Sequence, residues 1–325
     1  MLMFQAQPDP DKKAKRKKNK QNDRPDSSGM LYFILAFVVC LAIFAGIGVL
    51  WWKITDPALP FVDSGETTTT AVTTTVTRPA NRFTVNHRSS VAVYITDDKG
   101  ALQTVSLCLF KPDTDSVSVI PMPAELALPD AETDTLIRRF ATGGVETAHM
   151  ALSAYLGKSV DYFVVLSYDN VEKYFTALDS SLVVKLPKDV DQQTPGQGFS
   201  IHLQAGEQAL TAKQAANLLR CDNWQNGRRE RANMHAAMVS AYINQFFSTN
   251  RSLAADHADL LKVSYTNLNS DRFSVIEPSL SYLADLNKEL LCTSTNIEGS
   301  FTGAGDTLRF TPEAGIVDAI KSNMK

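Results

Sequence analysis

Arg228, Arg231 and His235 are spaced so that, at about 100° per residue, they share one arc of a helix. Met234, Met238, Tyr242 and Phe246 continue that arc towards the helix C-terminus. The helix should open near Gly227, which brings its unpaired N–H groups and the positive end of its dipole beside the two guanidinium groups. Cations above an apolar stripe suit a ligand with an anionic head and a greasy tail. Arg229 falls on the other side of the helix, where solvent is expected. The plainer reading of the same residues is an amphipathic helix whose arginines cap its exposed end and whose stripe is ordinary core.

The elements that would hold this arc come directly before it. The stretch 199–247 reads as a short strand with a Gly-bearing turn, a helix over Thr211–Arg220, a polar loop and then the long helix. Further upstream, SVAVYIT is a β-branched and aromatic run closed by Asp97-Asp98-Lys99-Gly100. Thr104–Lys111 and Ser116–Pro121 alternate in polarity around Pro112-Asp113-Thr114-Asp115, which predicts a hairpin. A helix is expected around Asp134–Phe140, a break at Gly143-Gly144 and a second helix over Val145–Leu156. A strand at Val160–Leu166, a helix at Asp169–Leu178, a strand at Leu182–Leu186 and a loop over Gln192–Gly198 follow. Helices near Ala254–Val263 and Leu280–Leu290, an apolar segment at Leu291–Ile297 and a short helix after Pro312 complete the chain. This order predicts an α/β (α+β) fold, with a mixed sheet flanked by helices.

Charge divides the chain unevenly. Residues 1–82 carry 11 Lys and Arg against 7 Asp and Glu. Of the totals of 32 and 35, that leaves 21 basic and 28 acidic residues in the rest. An acidic main domain argues against nucleic acid as a partner, since that needs a broad basic footprint. Met30–Trp52 is an uncharged run of more than twenty residues, long enough to span a bilayer as one helix. Eight Lys and Arg between Lys12 and Arg24 precede it, and only Lys53 follows closely. The positive-inside rule then puts a basic tail (1–29) in the cytoplasm and everything after the single-pass helix (30–52) outside the cell membrane. A cleaved signal peptide fits less well, because the apolar run is long and lacks a clean cleavage site. Residues 53–82, with TTTTAVTTTVT, read as a linker, leaving 83–325 as the extracytoplasmic domain.

No common nucleotide-binding, hydrolase or zinc-protease motif occurs in the sequence. The five His are scattered and the four Cys show no CxxC. Cys221 and Cys292 could pair outside the membrane or remain two thiols; sequence leaves both open.

The wording of several segments is nevertheless specific. IHLQAGEQALTAKQAANLLR followed by NGRRERANMHAAM, together with LGKSVDYFVVLSYDNVEKYFTAL, resembles the LytR-CpsA-Psr family of membrane-anchored cell-envelope proteins over roughly residues 88–325. Gly227, Arg228 and Arg231 match its arginine-rich signature, Ala232 replaces a usual Gln, and Arg220 matches an arginine ending the preceding helix. The resemblance implies phosphotransfer of a glycopolymer from a polyprenyl-pyrophosphate carrier to peptidoglycan. It assigns Arg220, Arg228 and Arg231 to the pyrophosphate, and an apolar slot by Met234, Met238, Tyr242 and Phe246 to the lipid tail. It also implies Mg²⁺ held by carboxylates, for which Asp97 is the candidate here.

Departures from the pattern cut against turnover. The family's Arg-Ser-Asp-Thr stands here as Ala101-Leu102-Gln103-Thr104, its Pro-Arg-Asp as Pro123-Ala124-Glu125, and its Gly-Gly as Ser180-Ser181. Losing one preorganised charge-stabilising donor typically costs about 100- to 1,000-fold in rate. Arg138 and Arg139 are the nearby cations that could substitute. Three expectations follow: a transferase with a rearranged site, a degenerate member that binds a polyprenyl-linked glycopolymer without turning it over, or a structural or signalling ectodomain in envelope maintenance.

Overall fold

The computed structural model describes residues 87–324 apart from 130–133, 177–179, 195–198, 249–251 and 289. The expected membrane helix at 30–52, the basic tail and the linker lie outside the described residues. Among those described, no helix is long and apolar enough to cross a membrane.

A six-stranded mixed sheet runs through the middle of the domain. Its strands are β1 (Ser89–Thr96), β2 (Leu102–Lys111), β3 (Ser116–Pro123), β4 (Tyr162–Ser167), β9 (Tyr265–Thr266) and β10 (Cys292–Ser294), in the order β10-β3-β2-β1-β4-β9. Pairs β1–β2, β2–β3 and β4–β9 are antiparallel, whereas β1–β4 and β3–β10 are parallel. The expected hairpin is present, with Pro112–Thr114 forming a 3-10 turn and Asp115 left-handed at φ 52°.

Both faces of the sheet are covered. Side chains alternate between them along each strand, as the period of two requires. Val91, Ile95, Cys108, Phe110, Val117, Val119, Val164 and Leu166 enter one core. Ala92, Tyr94, Leu107, Leu109, Ile120, Met122 and Phe163 enter the other. Near-continuous apolar strands are what burial on both sides demands.

On the second face lie α1 (Leu136–Leu156), the β11–β12 hairpin (Gly299–Thr302, Arg309–Pro312) and α7 (Ile316–Asn323). The expected break is visible inside α1, where Gly143 and Gly144 leave helical geometry. On the first face lie α2 (Tyr168–Thr176), α3 (Ala212–Arg220), α4 (Gly227–Phe247), α5 (Leu253–Val263) and α6 (Ser270–Asp285). A ribbon of β5 (Leu182–Leu186) with β8 (Gly206–Leu210), and β6 (Val190–Thr194) with β7 (Phe199–Leu203), joins them. Thr211 opens α3 with a capping box, its hydroxyl accepting from the Gln214 N–H while the Gln214 side chain accepts from the Thr211 N–H.

Two expectations need correction. The loop over Gln192–Gly198 is strand as far as Thr194, because these polar residues pair with β7 instead of facing a core. The helix expected at Leu280–Leu290 is α6, which begins ten residues earlier and ends at Asp285. Pro278 obscures it in the sequence, but Asn269 caps the true start by accepting from the Arg272 N–H at 2.9 Å.

The helix α4 is the central element of the first face. It packs on β2, β3 and β10, and buries Arg231, Ala232, Met234, His235, Ala236, Met238, Ser240 and Phe247. Its polar side chains also complete the edge strand. The Asn244 side chain both accepts from the Cys292 N–H at 2.7 Å and donates to the Cys292 carbonyl at 2.8 Å, and Ser240 donates to the same carbonyl at 3.0 Å. An edge that would otherwise offer free N–H and C=O groups is thereby closed. Ser181 offers its carbonyl to the Gln245 amide at 2.8 Å, and Ser180 its hydroxyl, so these departures anchor the end of α4.

Gly144 sits at φ 71°, ψ −170°, a conformation that only glycine adopts readily. Gly144→Ala is expected to lower stability by roughly 1–3 kcal/mol, read as a shift in the urea midpoint with little change in slope.

Candidate functional site

Register decides which residues meet at one end of the sheet. Thr96 lies opposite Leu102 in the antiparallel pair and opposite Ser167 in the parallel one, while Thr104 lies opposite Pro123. The loop Asp97–Gly100, Gln103, Glu125 and the start of α2 therefore share an end. This is the carboxyl end of the parallel pair β1–β4, where open α/β sheets commonly bind ligands.

Arg220, at the last position of α3, reaches that end from above. It bonds Asp169 at 2.5 Å, approaches Asp98 at 3.5 Å and lies over the Tyr168 ring at 5.6 Å. Arg228, in the first turn of α4, donates to the carboxylate of Glu125. Glu125 is 2% exposed, and its Oε2 is buried without a hydrogen-bond partner. Arg231 is 9% exposed; its Nη2 reaches the Gln103 carbonyl at 3.4 Å, and its Nε has no partner. The three arginines named from sequence thus gather at one end of the sheet, two of them against carboxylates.

Beneath Arg231, His235 is fully buried and donates from Nε2 to the Leu219 carbonyl at 2.9 Å. Burial, with the Arg231 charge adding to it, lowers its pKa from 6.5 to about 3, so it stays neutral. Tyr168 is pushed the other way, to about 12, by burial foremost. Its hydroxyl keeps its proton and can donate to an anion.

Below this polar cluster lies an apolar cavity of about 200 Å³. Ile95, Leu166 and Leu219 line it, and each stands one or two residues before Asp97, Tyr168 or Arg220. Met238, Tyr242 and Phe246 line it too, as the arc on α4 suggested. Met234 does not: it is buried but lies outside the cavity wall. Its neighbours on the wall are Val239 and Ile243, a second row of α4 that sequence did not single out. At the far end Tyr174, Tyr242 and Phe246 stack, with ring centroids 4.9 and 5.9 Å apart. Among the described residues, His257, stacked on Phe273 at 4.1 Å, and Asp256 are the only ionisable groups on the wall besides tyrosines and Cys108.

Other expectations fare differently. Arg229 is partly exposed on the side expected, and it also pairs with Glu298 at 2.8 Å and reaches the Gly299 carbonyl at 3.4 Å, tying α4 to the β11–β12 hairpin. Arg139 pairs with Asp134, and Arg138 is exposed, so neither takes over a missing arginine. Cys108, Cys221 and Cys292 are buried and free, and burial raises each thiol, Cys292 to about 12.

The residues do not suit Mg²⁺. Asp97 spends its carboxylate inside its own turn, accepting from Lys99 N–H at 2.9 Å, Ala101 N–H at 2.8 Å and Gln103 Nε2 at 3.1 Å. Among the described residues, no group of three His, Cys, Asp or Glu could hold a metal ion. A hard divalent cation prefers several oxygen ligands, including at least one or two free carboxylates.

The family model named LytR_cpsA_psr matches residues 104–324, which contain Glu125, Tyr168, Asp169 and all three arginines of this site. The chain belongs to the LytR-CpsA-Psr family. No curated protein matches its sequence. Solved structures share its fold at low identity. A protein from Eubacterium siraeum has a TM-score of 0.63 at 14% identity, covering 80% of this chain and 98% of its own. TagV of B. subtilis has 0.58 at 17%, covering 74% and 96%. TagT bound to LI-WTA has 0.55 at 16%, covering 73% and 89%.

Sequence reasoning missed Tyr168 and Asp169, whose signal was the acid in the first turn after β4. It also missed the cavity wall from α5 and α6, which carries no motif.

Two outcomes follow. Between pH 6.5 and about 3 the unfolded chain binds a proton that folded His235 refuses, so its contribution is full above pH 6.5 and is lost as pH falls. The slope is at most about 1.4 kcal/mol per pH unit, His149 adds to it in the same direction, and His235→Gln should flatten urea midpoints measured at about pH 7.5 and about pH 5.5. Arg228→Ala strands the Glu125 carboxylate. It should destabilise by roughly 2–3 kcal/mol, less than a fully buried pair because Arg228 is half exposed. Adding Glu125→Gln should restore part of that loss in a double-mutant cycle.

Proposed function

We propose that this chain is a membrane-anchored, single-pass cell-envelope protein that holds a polyprenyl-phosphate-linked glycopolymer. Met30–Trp52 is the anchor, with the N-terminus cytoplasmic and the main domain outside. The observation that carries the reading is that the cavity wall at Ile95, Leu166 and Leu219 stands one or two residues along the chain from Asp97, Tyr168 and Arg220 of the arginine cluster. A phosphate head meets Arg220, Arg228, Arg231 and the Tyr168 hydroxyl, and an isoprenoid tail follows Ile95, Leu166 and Leu219 down to Met238, Tyr242 and Phe246. At about 200 Å³ the cavity exceeds the roughly 150 Å³ of an engineered apolar void that takes up benzene.

The family activity, transfer of the glycopolymer to peptidoglycan, is weak here. Ala101, Gln103 and Ala124 stand where the family has charged groups, and acids neutralise two of the three arginines that remain. A binding protein with slow turnover accounts for both sets of facts. A purely structural ectodomain leaves the cavity without a purpose.

Full-length protein purified from membranes should carry polyprenyl lipid detectable by mass spectrometry. Val239→Phe, which fills the cavity from α4, should lose that lipid while the protein stays folded. Lipid-free wild type would leave the structural reading standing. Rapid Mg²⁺-dependent release of polyprenyl phosphate from a labelled lipid-linked glycopolymer would show that the site is not degenerate.

A further inference from the structure

The three arginines are not equivalent, and the difference narrows what the site can hold. Arg220 is bound by Asp169 and Asp98, and Arg228 by Glu125. Among the described residues, Arg231 alone of the three has no carboxylate partner. Its Nη2 makes one long contact with the Gln103 carbonyl, and its buried Nε makes none. A guanidinium in that state lacks an acceptor for its Nε–H, and the Nε/Nη edge is the fork that matches two oxygens of one phosphoryl group.

The surroundings limit the charge that can be added. Asp97, Asp98, Glu125 and Asp169 bring four negative charges to the end of the sheet, which Arg220, Arg228, Arg231 and the exposed Lys99 only balance. Glu125, paired with Arg228 through one oxygen, also keeps a buried Oε2 with no hydrogen-bond donor. A pyrophosphate spreads its charge over two phosphoryl groups. With the first on Arg231, the second would meet Arg220 or Arg228 only by displacing an acid, or would face that acid directly. A divalent cation usually relieves such repulsion, but the Asp97 carboxylate is filled by three donors from its own turn.

We propose that this site accepts a single phosphoryl group, a phosphate monoester or diester, on Arg231 and without a divalent cation. The inference rests on the lipid-binding function above and specifies its head group. Glu125 then acts as the specificity determinant, holding Arg228 and repelling a second phosphoryl group. Tyr168 supplies an additional donor from the side of α2.

Full-length protein in detergent micelles would be titrated with polyprenyl monophosphate and polyprenyl pyrophosphate of equal chain length, each with Mg²⁺ and with EDTA. Inorganic phosphate would serve as competitor. The monophosphate should bind at least about 10-fold more tightly, with no change on chelation. Arg231→Lys, which keeps the charge but loses the fork, should weaken it about 10-fold or more, and Glu125→Gln should narrow the preference by improving pyrophosphate binding. Equal or tighter pyrophosphate binding, a requirement for Mg²⁺, or full affinity in a folded Arg231→Lys variant would each overturn the inference while leaving lipid binding intact. If neither lipid binds folded protein, the lipid-binding function falls and this inference with it. Inorganic phosphate competing as well as the lipid would uphold the single-phosphoryl site but make its ligand the soluble ion.

Discussion

Parallel strands cannot be joined by a tight turn, so pairing β1 with β4 forces the chain to cross the sheet between them. It does so through the β2–β3 hairpin and α1, and returns with Ser167 level with Thr96. Everything at the functional end follows from that alignment. The loop after β1, the first residues of α2, the entry of β2 and the exit of β3 are brought to one place, and the arginine-bearing helices need only arrive above them. A shift of β4 by one residue would turn Leu166 out of the cavity and take Tyr168 and Asp169 away from Arg220.

The energetics of α4 follow from its position. A helix that touches the sheet on one side and the β11–β12 hairpin on another has little surface left for water, and its polar residues must find partners within the protein. Most do: Asn233, Asn244 and Ser240 bond backbone groups, Arg229 takes Glu298, and Arg228 takes Glu125. His235 stays neutral and bonds the Leu219 carbonyl through Nε2, while its Nδ1 is left without a partner. Arg231 must keep its charge, since guanidinium does not deprotonate in proteins, and it does so with one incomplete set of contacts. The cost of polar burial thus falls on Arg231 together with Glu125 and His235, each of which keeps one buried polar atom without a partner.

Much of this was legible in the sequence where local chemistry is strong. The hairpin, the Gly143-Gly144 break and the helix over Thr211–Arg220 all carry short-range signals, and the structure keeps them. Reading failed where tertiary context overrides a local cue. Arg229 keeps part of its side chain in water as expected, but its ion pair with Glu298 could not be read from a single apolar stripe. Met234 shares the arc but not the cavity, because the wall follows two rows of α4 and bends away from its first turns. Pro278 concealed most of α6, and polar β6 looked like loop because it pairs in a ribbon. Which acid meets which arginine could not be read at all, since Arg228 and Glu125 are 103 residues apart.

The cavity has a further consequence that concerns volume. Side chains that line a void give up contacts on one side, so the folded chain takes up more space than its atoms need. Unfolding lets solvent into that space, and on a molar basis a void of this size corresponds to on the order of 100 mL. A folded chain with such a cavity is therefore the bulkier partner in its folding equilibrium, and hydrostatic pressure works against it. A hydrocarbon chain in the cavity would fill that space and make the folded protein stiffer under compression.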